Sequence, residues 1–264
     1  MTLRRRAKYV LYNFVPGFAG RFPYYGSAVH FPPGAPVFRA ICETGAFEPD
    51  IIDRLVKLAR PNTTVFDVGA NIGLMAIPVL HACSGCRVVS FEPSPNSLPF
   101  LEQTARASAY ADRWVIRGTA LAGKSGELDF TIGRPDEALF EGFRSAANIA
   151  HARTIKVPVS TLDAEWQAIG KPAVSVVKID VEGAEGEVLA GAREVITEQR
   201  PALLIEWHEP YLARFGTSAR SLLTLGEEFG YQAFTVPGGV PVRDASALRV
   251  QMMSCQNFLL VPQE

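Results

Sequence analysis

The sequence predicts an α/β fold in which a mostly parallel sheet is covered by helices on both faces. Apolar, β-branched runs at 64–68, 87–91, 174–179 and 202–205 alternate with segments of helical periodicity. Strands that are apolar throughout are typical of parallel sheets whose two faces are both buried. Near the end of the chain, Tyr231–Val236 and Asn257–Val261 lack a strongly periodic segment between them, so they predict an antiparallel terminal hairpin.

The overall composition is that of an ordinary globular protein. The chain has 264 residues, of which 48% are hydrophobic, and its formal net charge is −1. This charge provides no long-range field that would recruit nucleic acid, and no apolar stretch reaches the ~20 residues that span a bilayer. Four scattered cysteines are typical of a reducing compartment. We therefore expect a cytoplasmic protein with no nucleic-acid partner and no transmembrane segment.

The first part of the chain differs from the rest in composition. Residues 1–42 are rich in aromatic residues, proline and glycine, and they predict an irregular N-terminal extension with one short helix. A single domain is expected over residues 43–264. Basic residues at 4–8 precede aromatic residues at 9–14. This order leaves two interpretations open, a helix packed on the domain or a segment that contacts a membrane surface.

The segment Val65–Gly73 predicts a ligand-binding corner. A strand ends near the acidic residue Asp67, and a glycine-rich turn then leads into an apolar helix. Gly69 allows a tight turn and Gly73 allows the helix to pack closely. The pattern is neither the G-x-G-x-x-G of dinucleotide sites nor a P-loop. A carboxylate at this turn repels a pyrophosphate but suits the positive ammonium and sulfonium groups of S-adenosylmethionine.

A second acidic residue, Glu92, follows the next strand about twenty positions after the glycine turn. A carboxylate at that place suits hydrogen bonding to the two hydroxyls of a ribose. Asn71 is expected to cap a helix over Ile72–His81 and to face the ligand. Together with Thr119, which follows the strand Trp114–Gly118, the cofactor-binding candidates are Asp67, Gly69, Ala70, Asn71, Gly73, Glu92 and Thr119.

Carboxylates also gather after the strand Val174–Ile179. Carboxylates that lie close together tend to share a proton or to bind a cation. The next strand ends in Glu206 and His208, and an imidazole at this edge could serve as a general base. The catalytic candidates are Asp180, Glu182, Glu206 and His208, and which of them is the base stays open. No metal ligand is assigned, but a divalent cation held by Asp180 and Glu206 stays an alternative.

Lys178 interrupts an apolar strand. A buried lysine needs a carboxylate partner, and strand alternation places Asp180 on the same face. We expect a structural ion pair. Residues 133–153 lack periodicity and predict a loop over the site, in which Arg134, Arg144, His151 and Arg153 either meet an acidic or sugar acceptor or form a solvated basic stretch.

Taken together, the motifs resemble the FkbM-type family of S-adenosylmethionine-dependent methyltransferases. The resemblance covers residues 43–261 and depends on the segments Phe66–Gly73, Phe91–Pro93, Thr161–Asp163 and Val177–Glu185. It implies a seven-stranded, Rossmann-like class I methyltransferase fold, S-adenosylmethionine as the cofactor, and transfer of the methyl group to an oxygen. The expected acceptor is a hydroxyl on a small molecule, a secondary metabolite or a glycan. Two alternatives stay open, an NAD-dependent Rossmann oxidoreductase and a non-catalytic binding module on the same fold.

Overall fold

A large central sheet organises the molecule, and a smaller sheet and an N-terminal hairpin pack around it. The computed structural model describes residues 2–44, 47–133 and 152–263. Within these ranges the strands are β1 (Arg21–Tyr24), β2 (Ser27–His30), β3 (Thr64–Val68), β4 (Arg87–Phe91), β5 (Trp114–Arg117), β6 (Ala120–Leu121), β7 (Gly126–Ile132), β8 (Arg153–Ser160), β9 (Val174–Ile179), β10 (Ala202–Glu206), β11 (Tyr231–Val236), β12 (Pro241–Val242) and β13 (Asn257–Pro262).

Helices lie between most of these strands. In the same ranges the α-helices are α1 (Leu3–Phe14), α2 (Pro36–Thr44), α3 (Pro49–Leu58), α4 (Ala76–Ala82), α5 (Leu98–Ala107), α6 (Leu162–Ala168), α7 (Glu185–Ala190), α8 (Arg193–Gln199), α9 (Glu209–Leu212), α10 (Ser221–Phe229) and α11 (Ala245–Met252). A 3₁₀ helix follows α9 at Ala213–Phe215.

The strand order of the central sheet is β12-β11-β13-β10-β9-β3-β4-β5. The strands from β10 to β5 are parallel to one another, and β13 and β11 are antiparallel to their neighbours. The predicted α/β class with a mostly parallel sheet is therefore confirmed. The described part of this sheet has eight strands instead of seven, because the two-residue strand β12 pairs with the edge of β11.

The end of the chain forms the antiparallel pair that the sequence predicts, since β11 and β13 pair over their full length. Their connection holds β12 and α11, which the sequence analysis did not find. Leu248 is the buried residue of α11, so the helix carries little of the apolar periodicity by which helices are recognised. Asp244 begins the helix by accepting hydrogen bonds from the amides of Ser246 and Ala247.

The alternating residues of Gly126–Ile132 predict a half-exposed strand that extends the central sheet, and its place in the sheet is wrong. It forms β7 of a separate three-stranded sheet with the order β6-β8-β7. Strand β7 pairs antiparallel with β8 over its full length. The alternation of apolar and polar residues correctly indicates a strand, but it does not say which strand is the partner.

The N-terminal residues are more regular than predicted, because they form two helices and the hairpin β1–β2 in place of one short helix. Aromatic packing accounts for this order. The ring of Phe38 lies 4.8 Å from that of Phe22 and 4.3 Å from that of Phe31, measured between centroids. These rings belong to the same buried cluster as Ile77 and Leu80 of α4. The expected boundary between residues 42 and 43 stays a prediction.

None of the helices in the described ranges is long and apolar enough to cross a bilayer. Cys42, Cys83, Cys86 and Cys255 are all free and buried. The cytoplasmic location stays a prediction.

Candidate active site

A cavity opens at the point where the strand order of the central sheet reverses. The chain continues from β3 to β4 on one side and from β9 to β10 on the other. Ligands of open α/β sheets bind outside the carboxyl ends of the strands at such a point. The open cavity there has a volume of ≈ 920 Å³, which includes the solvent at its mouth.

Most of the predicted site residues meet at this cavity. The candidates that line it are Gly69, Ala70, Asn71, Glu92, Thr119, Asp180 and Glu182. The four that do not are Asp67, Gly73, Glu206 and His208. Seven candidates therefore lie where a ligand could touch them, and the other four lie behind the wall of the cavity.

The turn after β3 brings two strand ends into contact at Gly69. Its φ is +79°, and a Cβ atom at this position would lie 1.8 Å from the carbonyl oxygen of Asp180. Gly73 serves packing, because a Cβ there would lie 2.6 Å from the ring of Trp114. Asn71 has a left-handed φ of 49° and lines the cavity without capping a helix.

The predicted helix over Ile72–His81, with Asn71 as its N-cap, is wrong at its first end. Helix α4 begins at Ala76 with Met75 as its N-cap residue. The positive φ values of Asn71 and Gly73 interrupt helical geometry in the turn that precedes it. Because the turn is longer than predicted, the backbone next to Asn71 forms part of the wall of the cavity.

Glu92 holds the turn by hydrogen bonds to the backbone. Its Oε2 accepts from the amide of Asn71 at 2.8 Å, and its Oε1 accepts from the amide of Ser94 at 2.8 Å. An ionised carboxylate has about four lone-pair sites. Glu92 therefore shapes the wall of the cavity through both of its carboxylate oxygens.

A buried ion-pair network lies beneath the cavity. Nζ of Lys178 is 3.2 Å from Oδ2 of Asp180 and 3.7 Å from Oδ1 of Asp67. The predicted pairing of Lys178 with an acidic residue is confirmed. Burial raises the pKa of Asp67, and Lys178 opposes that rise. Burial also works against the charge of Lys178, but Asp180 and Asp67 outweigh it and raise the pKa of the lysine.

Three carboxylates form a cluster at the ends of β9 and β10. Asp180, Glu182 and Glu206 each place one oxygen within 4.8 Å of the others. Burial and the charge of Asp180 raise the pKa of Glu182 to about 8, and they also raise the pKa of Glu206. Among the described residues, Oε2 of Glu206 has no hydrogen-bond partner. The cluster can therefore hold protons or offer oxygen ligands to a cation.

Glu185 and His208 lie at the border of this cluster. Oε1 of Glu185 accepts from the amides of Val181 and Gly183 at 3.0 and 3.1 Å, so it orders the loop before α7. The ring of His208 packs at 4.5 Å against Tyr211, measured between centroids. Burial and the charge of Arg214 lower the pKa of His208. The imidazole stays neutral near pH 7 but does not face the cavity.

Sequence reasoning missed the part of the wall that comes from outside the central sheet. Val37 of α2 and Phe47 line the cavity, as do Ser94 and Phe130. Burial of its carboxyl group and the negative charge of Asp180 raise the pKa of Glu48, which therefore lies close to the acidic cluster. Glu48-Pro49, at the start of α3, is a sequence signal that could have indicated this side.

Most of the basic loop that the sequence predicts over the site lies outside the described residues. Arg134, Arg144 and His151 lie outside the described residues. Arg153 is the first residue of β8, so the predicted loop ends at a strand.

A sequence profile of the methyltransferase FkbM domain matches residues 67–233. The chain belongs to the FkbM methyltransferase family. The match contains the turn after β3, Glu92 and the acidic cluster.

Three relatives from different organisms resemble this FkbM-family chain. The 31-O-demethyl-FK506 methyltransferase FkbM of Streptomyces tacrolimicus is 28% identical over an alignment of 177 residues that covers 57% of this chain and 67% of the relative. The 2-O-methyltransferase NoeI of Sinorhizobium fredii is 24% identical over an alignment of 184 residues that covers 65% of this chain and 74% of the relative. The hexuronic acid methyltransferase AglP of Haloferax volcanii is 32% identical over an alignment of 148 residues that covers 54% of this chain and 56% of the relative.

Proposed function

We propose that this FkbM-family enzyme transfers a methyl group from S-adenosylmethionine to a hydroxyl of a sugar or another small molecule. The observation that carries the proposal is that Glu92, Asp180 and Glu182 face one cavity at the switch point of the sheet. The names of the FkbM and NoeI relatives specify oxygen positions, and the AglP relative is named for a hexuronic acid. These names support a hydroxyl acceptor.

The charges of the cavity fit a positively charged donor. Among the described residues of the lining, Lys178 is the basic one, and Asp67 and Asp180 balance its charge. A pyrophosphate would meet the carboxylates of Glu92 and Glu182 at this wall. This arrangement speaks against the NAD-dependent alternative, whose cofactor needs a helix N-terminus free of acidic side chains.

Different residues of the cavity wall would bind different parts of the donor. Glu92 would accept hydrogen bonds from the ribose hydroxyls, while Ala70, Asn71 and Thr119 would contact the nucleoside. Asp180, fixed by Lys178, would lie toward the reacting end. Asp67 would act indirectly, because it holds Lys178 and does not touch the cavity.

S-adenosylmethionine, when bound, supplies a methyl group on a positively charged sulfur. The acceptor oxygen must lose its proton as it forms the new bond to carbon, and a carboxylate of the wall can take that proton. Glu182 is the best placed base, because it lines the cavity and its pKa is raised to about 8. Glu206 would share the proton with Asp180 from behind. His208 would orient the loop through its contact with Tyr211.

The acidic cluster also supports a second way to activate the hydroxyl. Asp180, Glu182 and Glu206 provide the oxygen ligands that a divalent cation prefers. A cation held there would lower the pKa of the acceptor hydroxyl. Calorimetric titration of the metal-free enzyme with Mg²⁺ and Ca²⁺ distinguishes the two routes, with Glu206→Gln as the variant that removes one ligand.

The test of the proposed function combines binding and turnover. S-adenosylmethionine should bind the wild type, and labelled methyl should pass to one member of a panel of hydroxylated sugars and small molecules. Asp180→Asn and Glu182→Gln should lower kcat by about 10²–10⁴ while donor binding survives. Glu227→Gln, on the exposed surface of α10, is the matched control outside the cavity. Binding of NADH without binding of S-adenosylmethionine would refute the proposal, and full turnover of both carboxylate variants would refute the assignment of the base.

A further inference from the structure

Helix α1 presents apolar side chains to solvent on the face opposite to its packed side. Leu3, Val10 and Phe14 are 86%, 52% and 64% exposed. Their spacings of seven and eleven residues place them within about 40° of one another around a helix of 3.6 residues per turn. Phe18, in the turn that follows, is exposed as well. We call these four residues the apolar face of α1.

The packed side of α1 uses other residues. The rings of Tyr9 and Tyr12 lie 6.2 and 6.1 Å from that of Phe38 in α2, measured between centroids. The guanidinium of Arg5 donates to the carbonyl oxygens of Glu43 and Thr44 at 2.8 and 3.2 Å. These contacts fix the helix on the body of the protein, so the apolar face is held outward as a rigid surface.

The charged side chains of residues 1–42 all have one sign. Residues 1–42 contain six lysines and arginines and no acidic residue, although the whole chain has a net charge of −1. Arg4 and Arg6 are exposed within about 100° of Leu3 around the helix, and Lys8 is exposed farther round, at about 140°. An apolar strip flanked by cationic side chains is the pattern of helices that lie in the plane of a membrane surface.

We propose that the apolar face of α1, with Arg4, Arg6 and Lys8, docks the enzyme on an anionic lipid surface. The lipid chains would receive the four apolar side chains, and the anionic headgroups would meet the three cations. A nucleic acid fits less well, because a phosphate backbone gives no apolar partner to Leu3, Val10 and Phe14. Helix α1 has 12 residues, so it can lie on a bilayer but not cross it.

Docking through α1 would also bear on the active site. Helix α1 packs on α2, and Val37 of α2 lines the cavity. A membrane surface under α1 would therefore lie one helix away from the wall of the cavity. The inference does not depend on methyl transfer, because vesicle binding can be measured without donor or acceptor.

The test is co-sedimentation of the full chain with vesicles of phosphatidylcholine, with and without phosphatidylserine. We expect binding to the anionic vesicles that weakens as salt is added. The triple variant Leu3→Ser, Val10→Ser, Phe14→Ser should lose it. Arg4→Gln, Arg6→Gln, Lys8→Gln should weaken it by more than tenfold, since each basic residue near an anionic surface contributes about fivefold. Thermal melting confirms that each variant is folded.

Matched controls come from other surfaces of the same chain. Val250→Ser with Met253→Ser removes apolar side chains that are 62% and 86% exposed. Arg87→Gln, Lys124→Gln, Arg243→Gln removes three exposed cations and gives the same net charge as the first charge variant. Both controls should bind vesicles like the wild type. The proposal would be overturned if the controls lost binding equally or if the protein did not sediment with anionic vesicles. It would also be overturned by tighter binding to RNA than to vesicles, or by a dimer, detected by light scattering, that covers α1.

Discussion

Lys178 and Asp180 form an ion pair of 3.2 Å beneath the cavity, and this pair fixes the carboxylate that faces the proposed reacting end. The same lysine reaches back to Asp67, which is its register neighbour on β3. One buried cation thus joins the ends of two parallel strands at the point where the ligand would bind. The stability of the fold and the geometry of the site depend on the same contact.

Removal of that cation should be costly. We expect Lys178→Met to lower the free energy of unfolding by about 3–5 kcal/mol, because it leaves Asp67 buried without its partner. Urea denaturation at pH 7 measures the change. Lys171→Met is the control, since Lys171 is 44% exposed where Lys178 is 6% exposed. Water screens its pair with Glu194, so Lys171→Met should leave the free energy of unfolding close to that of the wild type. Equal costs for the two variants would show that the buried network is not stabilising.

Gly69 should not tolerate a side chain. A Cβ at Gly69 would lie 1.8 Å from the carbonyl oxygen of Asp180. No rotamer change relieves this contact, because both atoms are fixed by the backbone. Gly170 has a similar φ of +86° but no atom within 4 Å. We expect Gly170→Ala to cost about 1 kcal/mol and Gly69→Ala a further 1–3 kcal/mol from overpacking, measured by thermal and urea unfolding. Equal costs would mean that the two loops separate freely.

Local pattern was enough to predict the strands of the central sheet. The predicted ranges Thr64–Val68, Arg87–Phe91, Val174–Ile179 and Tyr231–Val236 agree with the observed strands. Thr64–Val68, Arg87–Phe91 and Val174–Ile179 are apolar over most of their length, and burial on both faces leaves no other structure that suits them. Tyr231–Val236 alternates buried and half-buried residues over most of its length, which also indicates a strand. Glu92 and Asp180 were found for a related reason, since a polar residue directly after such a run lies at the edge where ligands bind.

The rest of the site depends on contacts that are distant in sequence. The position of Asp67 behind the wall follows from its register with Lys178, which no single-strand pattern contains. Val37 and Phe47 reach the cavity because the N-terminal residues pack on the domain. Strand β7 pairs with β8, across a segment of irregular sequence. These features depend on which strands pair, on their register and on how separate elements pack together. Sequence periodicity predicts none of the three.

Glu92 should control the affinity for the donor. Glu92→Gln keeps the shape of the side chain but replaces one acceptor oxygen with an NH₂ group that faces a backbone amide. We expect the Kd for S-adenosylmethionine to rise by about tenfold or more through the loss of charge-assisted hydrogen bonds. The Kd for S-adenosylhomocysteine should rise by the same factor, because both ligands carry the ribose. Calorimetry measures both, with Glu227→Gln on the exposed surface of α10 as the control. An unchanged Kd would remove Glu92 from the ribose site.

The acidic cluster should make the stability of the free enzyme fall as the pH rises. Burial and neighbouring carboxylates raise the pKa of Glu182 to about 8 and also raise that of Glu206. Between pH 5 and 8 the folded protein therefore binds more protons than the unfolded chain does, so its free energy of unfolding decreases with pH. Glu206→Gln should make this decrease shallower. At pH 8 the variant should be more stable than the wild type by at least about 1 kcal/mol.

Urea unfolding at intervals from pH 5 to 8 measures this slope for the wild type, Glu206→Gln and the control Glu227→Gln. Glu227 is exposed, so its variant should follow the wild-type curve. If Glu206→Gln also follows that curve, then Glu206 is ionised in the free enzyme at neutral pH, and the cluster holds its charge without a shared proton. In that case the three carboxylates would need a cation, and addition of Mg²⁺ should raise the stability of the wild type more than that of Glu206→Gln.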